Sequence, residues 1–452
     1  MLTITLLDHN FAQLSEVTTS LKHILTYQTK FFNSRTKRWK YEKHDLIDYT
    51  SNSIYTGLVP YIQDNINASL VVDQRIFPTI ELQVPELSID LFDYQMDYLS
   101  KALQERRMIV KSSTGSGKSV ILAAIISALR SVPALILAPN KSIMAQLRVE
   151  LPKLIPGLDL GQISGEKKDI QHQCVIGLAG SLLKLSIQEI QRFKVLLVDE
   201  VHTVAAQQAH DVILNQNAPY RFGFSATPTG RSDGKDLVVQ GLIGPIVELI
   251  DRKTLVSQGY LAHTGVKFHR GAWEGNYHVL EDLLVVNNPL RNDLIKKIVD
   301  NSKASSVLIL VRRIDHGEIL QKMFGSKSIF ISGEDGSDIR EEVRQGVKNG
   351  KYKILIASKI FSAGIDLPNL ELGVYVAAGK STIETTQAAG RVGRAWNDLA
   401  KTWVDIYDSY CQVLEDHSKA RLIEYKKQGL PVEFIGFPPG MEETLERIRD
   451  NV

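Results

Sequence analysis

MIVKSSTGSGKSVILAAIISAL, residues 108–129, is the stretch whose reading decides the fold. A short apolar run meets a glycine-bearing turn and continues into ILAAIISALR, which reads as strand, turn and helix. Ser112 to Ser119 keeps the Walker A spacing, with a serine in place of the first glycine. Such a loop needs backbone N–H groups turned inward, and Gly115 and Gly117 permit this because they tolerate positive φ. The helix N-terminus adds partial positive charge beneath the phosphates. Ser113, Thr114, Gly115, Ser116 and Gly117 therefore form the expected cradle; Lys118 reaches the β- and γ-phosphates, and Ser119 ligates Mg²⁺. ATP and Mg²⁺ are the expected cofactors.

Working outward, further short apolar runs alternate with amphipathic stretches. ALILAP, CVIGLA, VLLVDE and RFGFSAT follow the loop, and SVLILV, SIFISG, KILIAS and LGVYVAA come later. Such runs read as buried parallel strands with crossover helices, LSKALQERR being the helix before the first strand. Two series, split between Ile250 and Asn288, predict two α/β domains in tandem. Pro85 marks an earlier boundary, so the expected parts are 1–85, 86–255 and 256–452, the first a small α+β domain. HSKARLIEYKKQG reads as a helix closing the last domain, with Gly429 as its stop.

At 452 residues the chain has room for several cores, and 44% hydrophobic with 23% charged residues is ordinary globular composition. The longest apolar stretch, Val120 to Leu129, is about half of a membrane span. MLTITLLDHN lacks a basic flank and a cleavage site, so a cytoplasmic protein without membrane contact is expected, host cytoplasm for a phage-encoded chain. Cys174 and Cys411 are the only cysteines, too few and too far apart for a disulfide framework or a metal knot. A formal charge of +2 means that any nucleic-acid surface is local.

KVLLVDEVHTV places Asp199 and Glu200 at the C-terminal end of an apolar strand, where open α/β sheets bind ligands. Asp199 is the expected Mg²⁺ ligand through water, alongside Ser119, and Glu200 the group that orients the attacking water. The spacing of His202 gives it a coupling role.

With these motifs in hand, the chain resembles superfamily 2 helicases, DEVH matching their DExH box. LFDYQMD, with Gln95, looks like the adenine-reading motif, while ALILAPNKSIMAQ and GLAGSLLK resemble strand-tracking motifs. SATPTG, with Ser225 and Thr227, looks like the motif that couples ATP state to nucleic-acid contacts. VLILVRRIDHGEIL, ILIASKIFSAGIDLP and QAAGRVGR resemble the three motifs of a second motor domain. The resemblance runs from Leu91 to about Gly429 and implies two RecA-like domains that sandwich ATP. It also implies that Arg391 and Arg394 act as arginine fingers, worth about 10³–10⁵ in rate. Gln387 would contact the γ-phosphate or water, and Gly364 and Asp366 would line the cleft. Strand contacts would come from Asn140, Gln146, Gly180, Ser181, Arg312 and Ser358.

FDYQ, SATPTGR, FSAGIDLP and AAGRVGR look nearest to the XPB-like DNA group, and within it to UvsW-type branch-migration helicases of bacteriophages. Arg35, Lys37, Arg38 and Lys40 with Trp39 form a basic-aromatic cluster able to neutralise phosphates while the indole packs or stacks. The expected partner is therefore DNA, branched or forked, engaged by a monomer. An RNA helicase, a restriction-type duplex translocase and an ATP-gated clamp are the alternatives.

Overall fold

The computed structural model describes residues 2–33, 38–66, 69–165, 167–231, 233–262, 264–271, 281–358, 370–379, 401–409, 412–437 and 441. At 30–33 and 38–40 the description covers backbone pairing alone. Contacts divide the chain into two units, 1–112 with 117–250, and 251–452 with 113–116.

The first unit opens with β1 (Leu2–Leu6), β2 (Phe11–Leu14), β3 (Thr26–Asn33), β4 (Arg38–Asp45), β5 (Ser53–Tyr55) and β6 (Ser69–Asp73). Four of them form a sheet in the order β5-β2-β1-β6, in which β1 runs antiparallel to β2 and parallel to β6. Alternate residues Leu2, Ile4 and Leu6 point inward onto Leu21, Leu25, Leu58 and Ile62, a small core separate from the large sheets. β3 and β4 pair as a hairpin whose register sets Phe32 opposite Trp39 and Asn33 opposite Arg38. The hairpin thus carries the backbone of Arg38, Trp39 and Lys40, while Arg35 and Lys37 lie outside the described residues.

The small domain packs on the first motor sheet through close backbone approach. A β-carbon at Gly57 would collide with the carbonyls of Gln240 and Gly241, and one at Gly241 would collide with Tyr55. Two buried arginines complete this contact. Arg221 donates to Asn10 Oδ1 at 2.6 Å and to the Gln216 and Leu242 carbonyls at 3.0 Å. Arg107 donates to the Ile243 carbonyl at 2.8 Å and to the His9 carbonyl at 3.4 Å. From residue 74 to 92 the chain is irregular and straps across the helix Lys118–Ala128: Gln83 N–H donates to the Ala128 carbonyl, and Glu86 N–H to Ser127 Oγ. This strap helps to explain why that helix is apolar on all sides: Ile121 to Ala128 are all buried.

The first motor sheet comprises β7 (Arg107–Lys111), β8 (Ala134–Ala138), β9 (Leu160–Ser164), β10 (Lys167–Lys168), β11 (Cys174–Leu178), β12 (Val195–Asp199), β13 (Tyr220–Ser225) and β14 (Ile246–Val247). Its order is β10-β9-β11-β8-β12-β13-β7-β14, parallel except for the β9–β10 pair. In the second unit β15 (Thr264–Gly271), β16 (Val307–Val311), β17 (Ser328–Ile331), β18 (Ile354–Ser358), β19 (Leu372–Tyr375), β20 (Lys401–Asp408) and β21 (Val432–Ile435) form a parallel sheet. Its order is β17-β18-β16-β19-β20-β15-β21, with apolar cores on both faces.

The fold is therefore two parallel sheets with flanking helices, consistent with tandem RecA-like domains, plus a small α+β region. All nine apolar runs are strands. The expected closing helix spans Gln412–Lys427 and stops at Gly429, φ +69°, where Leu430 N–H bonds the Tyr425 carbonyl; β21 then follows. Among the described residues no helix is long and apolar enough to cross a membrane.

Candidate active site

β7, β12 and β13 are adjacent or near-adjacent parallel strands, so the loops after them open on the same sheet edge. After β7 the chain turns through Gly115 at φ +88° and Gly117 at φ +78°, values that a residue with a β-carbon rarely adopts. The helix beginning at Lys118 follows at once, and Lys118 Nζ donates to the Ser112 carbonyl at 3.1 Å. Two groups anchor the base of the loop. Tyr98 donates its hydroxyl to the Lys111 carbonyl at 2.7 Å and accepts from Leu249 N–H at 3.0 Å. Gln95 is buried, accepts from Phe92 N–H at 3.0 Å, and lies so close that a β-carbon on Gly117 would strike its Nε2. The expected adenine reader and the tightest turn of the phosphate loop are thus neighbours.

Asp199 ends β12 and accepts from Glu200 N–H at 3.0 Å. Burial first, then the charge of Glu200, push its carboxyl up to about 7 against the pull of Lys118. A buried carboxyl raised in this way gains most from a nearby cation. Hard oxygen donors, Ser119 and Asp199 with waters, suit Mg²⁺, so these residues fit the ion and would hold it. Glu200 sits at φ +52°, ψ +56°, and its carbonyl accepts from Thr203 N–H at 2.9 Å.

Ser225, at the end of β13, joins three motifs. Its carbonyl accepts from Ser112 N–H at 3.2 Å, at the start of the phosphate loop. Its hydroxyl lies 3.3 Å from His202 Nδ1 and accepts from Thr227 N–H at 3.1 Å. His202 Nδ1 is also 3.4 Å from Glu200 Oε2. Burial, with Arg231 nearby, pushes the imidazole down to about 4, so the ring is neutral near pH 7. Thr227 Oγ1 is buried and has no hydrogen-bond partner among the described residues. The structure thus brings together Lys118, Asp199, Glu200, His202, Ser225 and Thr227.

The expected strand contacts are more dispersed, and several already have internal partners. Asn140 caps the helix Lys141–Leu154 by accepting from Ile143 N–H, and Gln146 donates to Glu150 at 2.7 Å. Gly180 packs on Gln208, and Ser181 Oγ accepts from Gly165 N–H. In the second unit Arg312 pairs with Glu281 at 3.2 Å, and Ser358 Oγ accepts from Gly333 N–H at 3.2 Å. Gly364, Asp366, Gln387, Arg391 and Arg394 lie outside the described residues. One contributor, Tyr98, had no sequence signal of its own; Arg231 closes the quoted SATPTGR stretch without an assigned role, and its guanidinium reaches the His202 carbonyl.

Residues 88–230 match the family of the type III restriction enzyme, res subunit, and residues 290–396 the helicase conserved C-terminal domain. A putative DNA 3'-5' helicase Rad25 of Haloarcula marismortui is 26% identical over 342 residues, 73% of this chain and 54% of that protein, so this chain spans about half of its length. The ATP-dependent DNA helicase uvsW of Enterobacteria phage T4 is 25% identical, covering 78% of this chain and 76% of that one. A putative ATP-dependent RNA helicase QP509L of African swine fever virus is 27% identical over 44% of this chain. Among solved structures, S. cerevisiae Dbp5 bound to RNA and ADP BeF3 aligns with a TM-score of 0.57 at 16% identity, over 79% of this chain and 96% of that one. The chain thus carries one segment similar to the res subunit of type III restriction enzymes and one similar to the helicase conserved C-terminal domain, and it shares its fold with the Dbp5 structure.

Proposed function

We propose that the chain is an ATP-driven translocase on duplex DNA, whose movement along one arm of a fork or four-way junction displaces strands and shifts the branch. The observation that carries the motor reading is the Ser225 junction, which ties phosphate loop, acidic pair and SATPTG loop at one sheet edge. ATP with Mg²⁺ supplies the cleavable γ-phosphate when bound. The residues do the rest: Gly115, Gly117 and Lys118 hold phosphate, Ser119 and Asp199 hold the ion, and Glu200 orients water. Ser225 and His202 pass the change at Glu200 to Thr227 and the loop beyond it. Arg391, Arg394 and Gln387 complete the site in this reading, Gly364 and Asp366 line it, and parts 1–85, 86–255 and 256–452 divide the labour. DNA as the substrate is supported by relatives named as DNA helicases.

A second reading, an RNA helicase, is favoured by the similarity to QP509L. ATP hydrolysis measured in parallel with single-stranded DNA, duplex, fork, four-way junction and RNA separates them. Stimulation by duplex and branched DNA, with junctions resolved only when ATP is hydrolysed, is the expected result. Stimulation by RNA alone moves the protein to the second reading, and stimulation without strand movement makes it a clamp.

A further inference from the structure

Glu200 stands in a left-handed backbone conformation, which costs a residue with a β-carbon energy and must be held by its surroundings. Part of the hold is local: Asp199 accepts from Glu200 N–H, and the Glu200 carbonyl accepts from Thr203 N–H. A further contact comes from a loop 29 residues beyond His202, where Arg231 Nη1 donates to the carbonyl of His202, the residue whose ring faces Glu200.

The loop that carries Arg231 is itself stiff. Asp233 holds the guanidinium from a second side through two hydrogen bonds, at 2.8 and 2.6 Å. The Asp236 carboxylate accepts from Gly230 N–H at 2.9 Å and Arg231 N–H at 3.2 Å, fixing the loop to the first turn of the helix Asp236–Leu242. At its far end the loop leans on the small domain. Gly234, at φ +70°, lies so close to β3 that an added β-carbon would collide with the Gln28 carbonyl oxygen. Next to Gln28, Tyr27 is near enough to Asp233 for that carboxylate, after burial, to push its phenol up. Tyr27 also stacks on His44 of β4 with ring centroids 5.1 Å apart. This face borders a cleft of about 720 Å³ lined by Tyr27, His44, Tyr55, Ala205, His210 and Lys235, and Tyr27 itself packs against the core of the first motor sheet, so hairpin and motor are in direct contact here.

We propose that Arg231 is a positioning residue that sets Glu200 through the His202 carbonyl, and that the loop from Gly230 to Asp236 makes this setting depend on where the β3–β4 hairpin sits. A polymer that displaces the hairpin moves Gly234, the loop and Arg231 together, and hydrolysis rises or falls with it. The inference rests on the motor reading only for the identity of the polymer.

The test uses the full chain, with ATP varied at fixed duplex DNA and, separately, at fixed RNA and with neither. Arg231→Ala is expected to lower kcat at least about ten-fold, the effect of about 1.4 kcal/mol on the barrier. Its KM for ATP is expected to stay within about two-fold of the parent, because the phosphate loop is untouched. Arg231→Lys, which keeps the charge and one donor but not the fork, is expected to recover part of kcat. Gly234→Ala acts from the hairpin side: with φ +70° and the Gln28 carbonyl in its way it must shift the loop, so both basal turnover and its response to polymer are expected to change. In a double-mutant cycle the stimulation defects of Gly234→Ala and Arg231→Ala should overlap rather than multiply. A raised KM with unchanged kcat, or fully multiplicative defects, overturns the proposal. If Arg231→Ala does not fold, Arg231→Lys combined with Gly234→Ala decides the same question. Stimulation by RNA and not DNA overturns the duplex-DNA function while leaving this relay standing, so the two failures are distinguishable.

Discussion

Lys118, Glu200 and Gly117 hold the chemistry by different means, and substitutions separate them. Lys118 gives phosphate a mobile positive charge, so Lys118→Ala is expected to abolish ATP hydrolysis and leave DNA retention on a filter-binding assay largely intact; undiminished strand movement in that variant would remove the loop from the mechanism. Glu200→Gln keeps the size of the side chain while removing its charge and exchanging one acceptor oxygen for an NH2 donor. It should bind ATP yet hydrolyse it about 10²–10⁴-fold more slowly, the range for loss of a general base, and turnover near the parent value would exclude Glu200 from that role. Gly117→Ala meets two obstacles at once, φ +78° and the Gln95 amide, so it should impair nucleotide binding more than Gly336→Ala impairs anything, the latter position being open and at an ordinary φ of −65°. These placements were legible in the sequence because spacing within a few residues dictates them: Lys118 begins a helix and Asp199 ends a strand. The contact of Arg231, quoted only as the end of SATPTGR, was not legible, since its partner carbonyl belongs to His202 and only the fold brings the two together. Asn140 shows the converse, a residue read as a strand contact whose oxygen caps a helix.

At the level of elements, the strands that sequence reading found are mostly buried along their length, and several of those it passed over carry charge. β20, KTWVDIYD, holds Asp405 and Asp408, both fully buried. Arg421, on the helix Gln412–Lys427, grips Asp405 at 2.8 and 2.9 Å, and Arg291, on the helix Pro289–Asn301, grips Asp408 at 2.9 and 3.0 Å. Tyr425 adds its hydroxyl to Asp405 at 2.8 Å and accepts from Trp403 Nε1 at 2.9 Å. A strand whose charges are neutralised by partners 16 and 117 positions away cannot show an apolar signature. Removing one partner leaves a buried charge, which typically costs about 3–5 kcal/mol. Arg421→Ala should therefore lower the urea midpoint of the second unit sharply, whereas Asp405→Leu with Arg421→Met should lie closer to the parent. Equal midpoints for both variants would mean that the pair contributes only packing. The β3–β4 hairpin poses a different question, because Arg35, Lys37, Arg38 and Lys40 are proposed to meet phosphate. Neutralising the four should weaken DNA binding and flatten its dependence on salt by about one unit of slope per lost contact; an unchanged slope would return the cluster to a solvated strand.

Across the whole molecule, stability should respond to acid through histidines buried without charge, among them His9 and His202 in the first unit and His316 in the second. His9 Nε2 donates to the Ile76 carbonyl at 3.2 Å, and burial, aided by Arg75, Arg221 and Arg107, pushes the ring down to about 4. His316 lies 3.0 Å from Asn292 Oδ1, and burial, then Arg291, push it down to about 3, with Asp315 opposing. An unfolded histidine titrates near 6.5, so below that pH the unfolded chain binds protons that the folded chain refuses. The stabilisation is complete above about 6.5 and is lost as pH falls toward the folded values. Asp199 acts in the opposite sense, because a carboxyl raised to about 7 takes up a proton in the folded state first. Absolute stability therefore mixes both signs, and a difference between variants is the cleaner observable. His316→Gln cannot be protonated, so the stability advantage of the parent over it should shrink between about pH 6.5 and 4.5. The slope cannot exceed that of one proton, about 1.4 kcal/mol per pH unit. The matching experiment with His9→Gln reads the first unit, where the small domain is stapled to the motor sheet by Arg107 and Arg221. A parent-minus-variant difference that is flat across this window would show that the imidazole is already charged in the folded state, and the arginines around it would then need a counter-charge from elsewhere.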